Sequence, residues 1–339
     1  MKFGPVALKE SLGGIVAHAV RRDGLVLKKG DTVTAEHIAA LEAAGVKEIV
    51  VAQLESGDIG EDEAAGALAR AIAGNNVRVE APFTGRSNLF ATCAGVLSFD
   101  AAAIDALNEV DETITLATLP AFRAVVEDEM VATVKIIPFA VEGARLEAAK
   151  LAAKGLKLSI SPFKPLQVGV VSTLLPGLKP TVVAKTLRVL QERLAPAGAS
   201  IVQDLRVQHD EAALAKAIEQ LRNACDLVIV FGASAITDRR DVIPSAVEAA
   251  GGRIIHFGMP VDPGNLLLVG VLPGDVPVLG APGCARSPKE NGFDWVLQRF
   301  LAGIEVSARD IKRMGVGGLL MEIVSRGQPR SGEPSHDEP

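Results

Sequence analysis

The stretch VIVFGASAITDRRDVIP, residues 228–244, decides how the chain folds. A continuous apolar run reaches Gly232, then Ala233, Ser234 and Ala235 follow, and Asp238, Arg239, Arg240 and Asp241 stand just ahead of VIPSAVEAAGG. An unbroken apolar strand is what a sheet covered on both faces requires. An aspartate before a helix-forming segment is an N-cap signal. The stretch therefore reads as strand, loop and helix, and the question it poses is whether the loop holds an anion.

The same alternation extends on both sides. LQVGVVS (166–172) is a second continuous apolar strand, and ASIVQDLRV (199–207), RIIHFG (253–258), NLLLVGV (265–271) and VPVLGAP (276–282) are further strands. In TVVAKTLRVLQERLAPAG, Val183, Leu187, Leu190 and Leu194 share one helical face. In DEAALAKAIEQLRNA, Leu214, Ile218 and Leu221 do the same, with Asp210 as N-cap. Strands alternating with helices predict a three-layer α/β/α sandwich with a mostly parallel sheet over 161–325.

Two other regions precede it. Residues 1–75 read as a small α/β region, with Thr34 capping the helix in TAEHIAALEAAG and Gly45 ending it. Residues 76–160 are strand-rich, because VRVEAP, GVLSFD, TITLATLP and MVATVKIIPFAV are short runs broken by Pro, Gly and Asp. Residues 326–339, RGQPRSGEPSHDEP, are polar and Pro-rich, and a disordered tail is expected there.

Composition excludes several classes. At 339 residues, 48% hydrophobic and 22% charged, the chain is globular and long enough for more than one domain. No apolar run approaches the roughly 18 residues of a membrane span, and MKFGPVALKESLGG lacks a signal-peptide core; a cytoplasmic location is expected. A net charge of -6 with no basic block argues against nucleic acid. Three scattered cysteines and five separated histidines form no disulfide framework and no zinc signature. No phosphate-binding GxxxxGK[ST] loop is present and no GxGxxG follows a strand, which argues against a standard NTPase or a nicotinamide-dependent dehydrogenase.

In an open parallel sheet, ligands sit beyond the carboxyl ends of the strands. That rule selects Ser172 and Thr173; the loop Gly232, Ala233, Ser234 through Asp238, Arg240 and Asp241; Pro263 and Gly264; and Pro282 and Gly283. Glycine lets backbone approach a ligand closely, and N–H groups at such turns bind anions. Each has a plainer reading: Asp241 as a helix cap, Arg239 and Arg240 as a solvated pair, His209 as part of a helix start, and His256 as a packed strand residue. Cys284 is placed like a nucleophile but has no base beside it. Together the four loops point to a phosphorylated ligand.

The residues also carry a resemblance. VGVVST resembles the opening strand, VQHDEAAL the "PDDxxxL" helix start, DLVIVFGASAITDRRDVIPSAVEAAGG the "GGTG…RDV" segment, VDPGNLLLVG the "MKPGKPLLFG" strand and VPVLGAPGCARSPKE the "LPGNP" loop of the molybdopterin-binding domain shared by molybdopterin adenylyltransferase and molybdopterin molybdotransferase. The likeness covers about 166–303 in order. The segment LGGIVAHAV and the following LKKGDTVTAEHIAALEAAGVKEIVV are more loosely similar to the start of the molybdotransferase.

The resemblance implies molybdopterin as ligand or substrate, with Mg2+ and ATP as further cofactors. Asp241 matches the family's acidic residue tied to magnesium and catalysis, and Ser172 and Thr173 would donate to the pterin or its phosphate. It implies adenylyl or molybdate transfer in molybdenum cofactor biosynthesis; the alternatives are a non-catalytic carrier of the cofactor and a nucleotide pyrophosphatase. A homo-oligomer is expected, with a molybdenum enzyme or a nucleotidyltransferase as a possible partner. The chain departs from the family where GASA (232–235) replaces "GGTG", where Asp262 and Asn265 replace two lysines, and where Leu174 and Leu175 follow Ser-Thr.

Overall fold

The computed structural model describes residues 1–22, 24–177 and 179–320, so the expected disordered tail at 326–339 lies outside the described residues. The chain divides into two compact units, 1–162 and 163–339.

The first unit holds two packed cores. In the first, strand Lys2–Ala7 pairs antiparallel with Glu48–Gln53, and Ile15–Val16 flanks the other side. Helix Ala35–Ala43 covers them; its cap is Thr34, whose hydroxyl accepts from the His37 N–H while the His37 ring accepts from the Thr34 N–H. Leu8, Val16, Leu27, Leu41, Ile49 and Val51 fill this core. In the second, two antiparallel sheets run in the orders 114–118, 130–136, 86–91, 77–79 and 124–125, 95–98, 159–162. Helix Glu61–Ile72 packs its apolar stripe, Ala65, Leu68, Ala69 and Ile72, into this core with Leu89, Leu97, Ile114, Val134 and Ile160. The stripe recurs at helical spacing, which buries one side of the helix only.

The second unit contains a six-stranded sheet. Its strands are β1 (Gln167–Leu174), β2 (Ser200–Gln208), β3 (Leu227–Phe231), β4 (Arg253–Phe257), β5 (Leu268–Leu272) and β6 (Val276–Ala281). They lie in the order β2-β1-β3-β6-β5-β4. β1 pairs in parallel with β2 and β3, β3 in parallel with β6, and β5 is antiparallel to both its neighbours.

Alternation along the strands fixes the layers. On β3, Leu227, Ile229 and Phe231 face one core, with α1 (Pro180–Leu194) and α4 (Gly292–Leu301). Val228 and Val230 face the other, with α2 (Glu211–Arg222) and α3 (Val242–Ala249). β3 is buried along its whole length, the reason its sequence is unbroken rather than alternating. The architecture is the α/β/α sandwich with a mostly parallel sheet that the alternating pattern predicts. On α1, Val183, Leu190 and Leu194 are buried and Leu187 is packed at the margin of the same core. On α2, Leu214, Ile218 and Leu221 are all fully buried.

Candidate functional site

The parallel strands bring their carboxyl ends to one edge. Ser172 on β1 is level with Phe231 on β3, and Phe231 with Ala281 on β6. From β1 the chain passes through α1 to β2 on one side. It then returns through α2, on the opposite face, to β3 on the other side. The order therefore reverses between β1 and β3, the position at which doubly wound sheets place the crevice that takes a ligand.

Two hydroxyls from β1 stand there, on opposite faces. Ser172 is 2% exposed, and among the described residues its Oγ has no hydrogen-bond partner. Thr173 is 1% exposed; its Oγ1 accepts from the Ala233 N–H at 2.8 Å and lies 2.8 Å from His209 Nδ1. The other ring nitrogen, His209 Nε2, lies 2.8 Å from Ser234 Oγ. His209 sits between the end of β2 and Asp210, whose carboxylate caps α2 by accepting from the Ala213 N–H at 3.0 Å. The backbone N–H of His209 also donates to the Leu174 carbonyl at 3.0 Å. His209 is thus held by its own backbone and by two hydroxyls, and links three loops that are distant in sequence. Its neighbours in the chain mark a helix start and hide this second role.

The loop after β3 folds back on itself. A Cβ on Gly232 would stand 2.7 Å from the Ser234 carbonyl oxygen and 2.8 Å from Ile243 Cδ1, so glycine is needed for the loop's own backbone. Arg286 reaches the same point from the loop after β6. It donates to the Gly232 carbonyl at 2.9 Å and to Thr186 Oγ1 at 2.9 Å, and lies over the Phe231 ring. No carboxylate pairs with it among the described residues, and burial lowers its pKa.

Further along the loop, Thr237, Asp238, Arg240 and Asp241 line a shallow open recess. Asp241 occupies the N-cap position of α3 but makes no cap bond. Its carboxylate turns back to accept from the Thr237 N–H at 2.9 Å and the Thr237 hydroxyl at 3.2 Å, which holds its pKa below the usual range. Asp238 is gripped by Arg240 through Nε at 2.7 Å and Nη2 at 3.2 Å, and its pKa is pulled down to about 2. Among the described residues no group of three or more His, Cys, Asp or Glu stands together as a metal site. One available carboxylate, Asp241, suits a Mg2+ shared with ligand phosphates and water rather than a cation held by protein alone.

The two remaining loops are engaged structurally. The Pro263 carbonyl accepts from the Gly292 N–H at 2.8 Å, and a Cβ on Gly264 would stand 2.7 Å from that same nitrogen. Pro263 and Gly264 therefore seat the start of α4. Pro282 and Gly283 open a short 3-10 turn, Gly283–Arg286, and Gly283 is exposed with open space beside it. Arg193 on α1 pairs with Asp294 and donates to the carbonyls of Ala285, Ser287 and Lys289 at 2.9, 2.6 and 3.3 Å. Cys284 is pushed toward the neutral thiol by burial. His256, on β4, has its pKa lowered by burial, with Lys312 and Arg239 adding to the shift.

Direct contacts therefore join Thr173 and Ser234 through His209, with the Ala233 N–H on the Thr173 hydroxyl; Arg286 holds Gly232 separately, and Asp238, Arg240 and Asp241 form a second group on the same loop. Ser172 flanks Phe231, and among the described residues Pro263, Gly264, Pro282 and Gly283 hydrogen-bond to neither group.

Such an edge site in a three-layer α/β sandwich defines a ligand-binding domain of the doubly wound class. Residues 170–303 match the family described as "Probable molybdopterin binding domain". Residues 5–53 match a "Domain of unknown function (DUF8806)". No curated protein matches the chain. Among solved structures, the chain is similar to a molybdopterin biosynthesis MoeA protein from Pyrococcus horikosii, at 16% identity over 89% of this chain and 75% of that one, TM-score 0.30. It is also similar to a molybdenum cofactor biosynthesis protein from Pyrococcus furiosus, at 13% identity over 89% of this chain and 64% of that one, TM-score 0.25. A second Pyrococcus horikoshii MoeA structure aligns at 12% identity over 90% and 75%, TM-score 0.27. No helix among the described residues is long and apolar enough to cross a membrane.

Proposed function

We propose that the crevice between β1 and β3 binds molybdopterin and that the protein acts in molybdenum cofactor biosynthesis, transferring an adenylyl group or molybdate to the pterin. The observation that carries this reading is the convergence of Thr173 and Ser234 on one imidazole, with the Ala233 N–H on the Thr173 hydroxyl, at the sheet's switch point, within the segment that matches the molybdopterin-binding family. Hydroxyls and backbone N–H groups at that edge suit a phosphate, and Arg286 adds a cation that no carboxylate pairs with among the described residues. Asp241 stays ionised and lies on the recess that ATP phosphates would share. Mg2+ bound there with ATP would offset negative charge on the phosphates.

Calorimetric titration with molybdopterin, with and without Mg-ATP, tests this, together with an AMP-transfer assay in the same samples. Tight binding with transfer is the expected result. Asp241→Asn should keep pterin binding and lose Mg2+-dependent transfer; full transfer by that variant would remove Asp241 from the chemistry. A carrier without catalysis is the second reading. It is favoured by the Arg240–Asp238 pair, which leaves Asp241 as the one carboxylate of that loop outside an ion pair, and it predicts binding with no transfer. A homo-oligomer is also proposed, and light scattering of the purified chain tests it.

A further inference from the structure

We propose that Thr173, His209 and Ser234 form a one-way hydrogen-bond relay that presents the Ser234 hydroxyl as a donor to a phosphate oxygen of the ligand. His209 is the positioning residue of this relay, which rests on the pterin-binding reading above.

The direction follows from the count of donors. The Ala233 N–H can only donate, so it occupies one lone pair of Thr173 Oγ1. Thr173 is almost fully buried, and among the described residues its hydroxyl meets one other group, His209 Nδ1. If Nδ1 carried the proton, the threonine hydroxyl would point its own proton at nothing, and buried donors are rarely left unpaired. Thr173 therefore donates to Nδ1. The neutral ring then carries its hydrogen on Nε2 and donates to Ser234 Oγ. The Ser234 proton must turn outward. Ser234 is exposed, and among the described residues it has no acceptor.

Each link points the same way, from backbone amide through hydroxyl and imidazole to hydroxyl. Bonds aligned head to tail polarise one another, so the terminal hydroxyl is a better donor than an isolated serine. A donor of this kind is best matched by a charged oxygen. On the opposite face of β1 the buried, unpartnered Ser172 Oγ offers a second hydroxyl at the same edge. The same tautomer excludes a nucleophilic serine. An Nε2 that already holds hydrogen cannot take the proton of Ser234 as a general base must.

The test uses the full chain with 15N-labelled histidine at about pH 8.5, above the ordinary imidazole range. Long-range nitrogen–proton spectra read the tautomer of His209, and inorganic pyrophosphate is the ligand probe. The expected result is hydrogen on Nε2, with pyrophosphate affinity falling about tenfold or more in Ser234→Ala at unchanged melting temperature. His209→Gln, whose amide can also donate to Ser234, should recover part of the loss caused by His209→Ala. Hydrogen on Nδ1, labelling of Ser234 by a fluorophosphonate, or wild-type affinity in Ser234→Ala would each overturn the relay. Failure of the wild-type chain to bind pyrophosphate would overturn it as well. Binding of pyrophosphate without binding of molybdopterin would leave the relay standing and remove the pterin reading instead.

Discussion

Arg286 lies 5.3 Å above the centre of the Phe231 ring. From there it donates to the carbonyl of the next residue in the chain, Gly232. The end of β3 is thus clamped by a residue from the loop after β6.

Arg286→Met should loosen that end. The Gly232 carbonyl and the Thr186 hydroxyl each lose a donor, at about 1–3 kcal/mol for such groups, while removal of a desolvated charge works the other way. A net loss of about 1 kcal/mol is expected, read as a lower midpoint in urea. Arg286→Lys should not restore it, because an ammonium cannot span both acceptors in one plane. An unchanged midpoint in Arg286→Met would show that the clamp contributes nothing to stability.

Asp241 and Asp238 set the acid behaviour of the recess. Both have folded-state pKa values below the ordinary aspartate range, Asp241 through the Thr237 N–H first and Asp238 through the Arg240 side chain first. A lowered carboxylate pKa stabilises the fold above the unfolded value of roughly 4, and the contribution is lost as pH falls through the folded value. The Thr237 amide signal should therefore hold steady from pH 8 to about 5 and move only below about 4. Movement between pH 5 and 7 would mean that Asp241 does not hold Thr237.

His256 adds to the loss of stability in acid, over a higher pH range, although here it is the charged form that the fold disfavours. Burial disfavours its charged form, and Lys312 and Arg239 reinforce this. The unfolded chain then takes up the proton first, so stability is full above the ordinary imidazole value of about 6.5 and falls below it. His256→Phe should flatten the decline in urea midpoint between pH 7 and 5. A slope equal to wild type would assign that decline to other groups.

Gly232→Val is expected to disturb the loop before any ligand arrives. The added carbon would overlap the Ser234 carbonyl and Ile243, at roughly 1–3 kcal/mol. His209 should lose its Ser234 contact, seen as a changed Nε2–H signal in the unliganded protein. A wild-type signal would place the effect of this substitution on the ligand alone.

The sheet was legible because β1 and β3 are covered on both faces and carry unbroken apolar runs, and because Asp210 and Thr34 cap helices as short polar residues do. The partners of His209 were not. Thr173 lies 36 positions before it and Ser234 25 after it, and they meet only because β1 lies between β2 and β3. Strand order is a property of tertiary packing that no local pattern encodes. Asp241 was legible as the residue ahead of α3, but the direction of its carboxylate was not, since capping Val242 or Ile243 and returning to Thr237 satisfy the same local preference. Gly264 shows the converse. Its lack of a side chain suggests ligand approach, whereas the closest atoms belong to the start of α4. In the first unit the strands at 77–79, 95–98, 114–118 and 130–136 were readable from Pro, Gly and Asp punctuation, but those at 86–91 and 159–162 were not, nor were antiparallel partners such as 95–98 with 159–162.

Arg193 holds the loop after β6 through three carbonyl oxygens, those of Ala285, Ser287 and Lys289. Carbonyls are common to every amino acid, so these three bonds depend on no side chain at 285, 287 or 289. Substitutions can accumulate there without changing the backbone that faces the crevice.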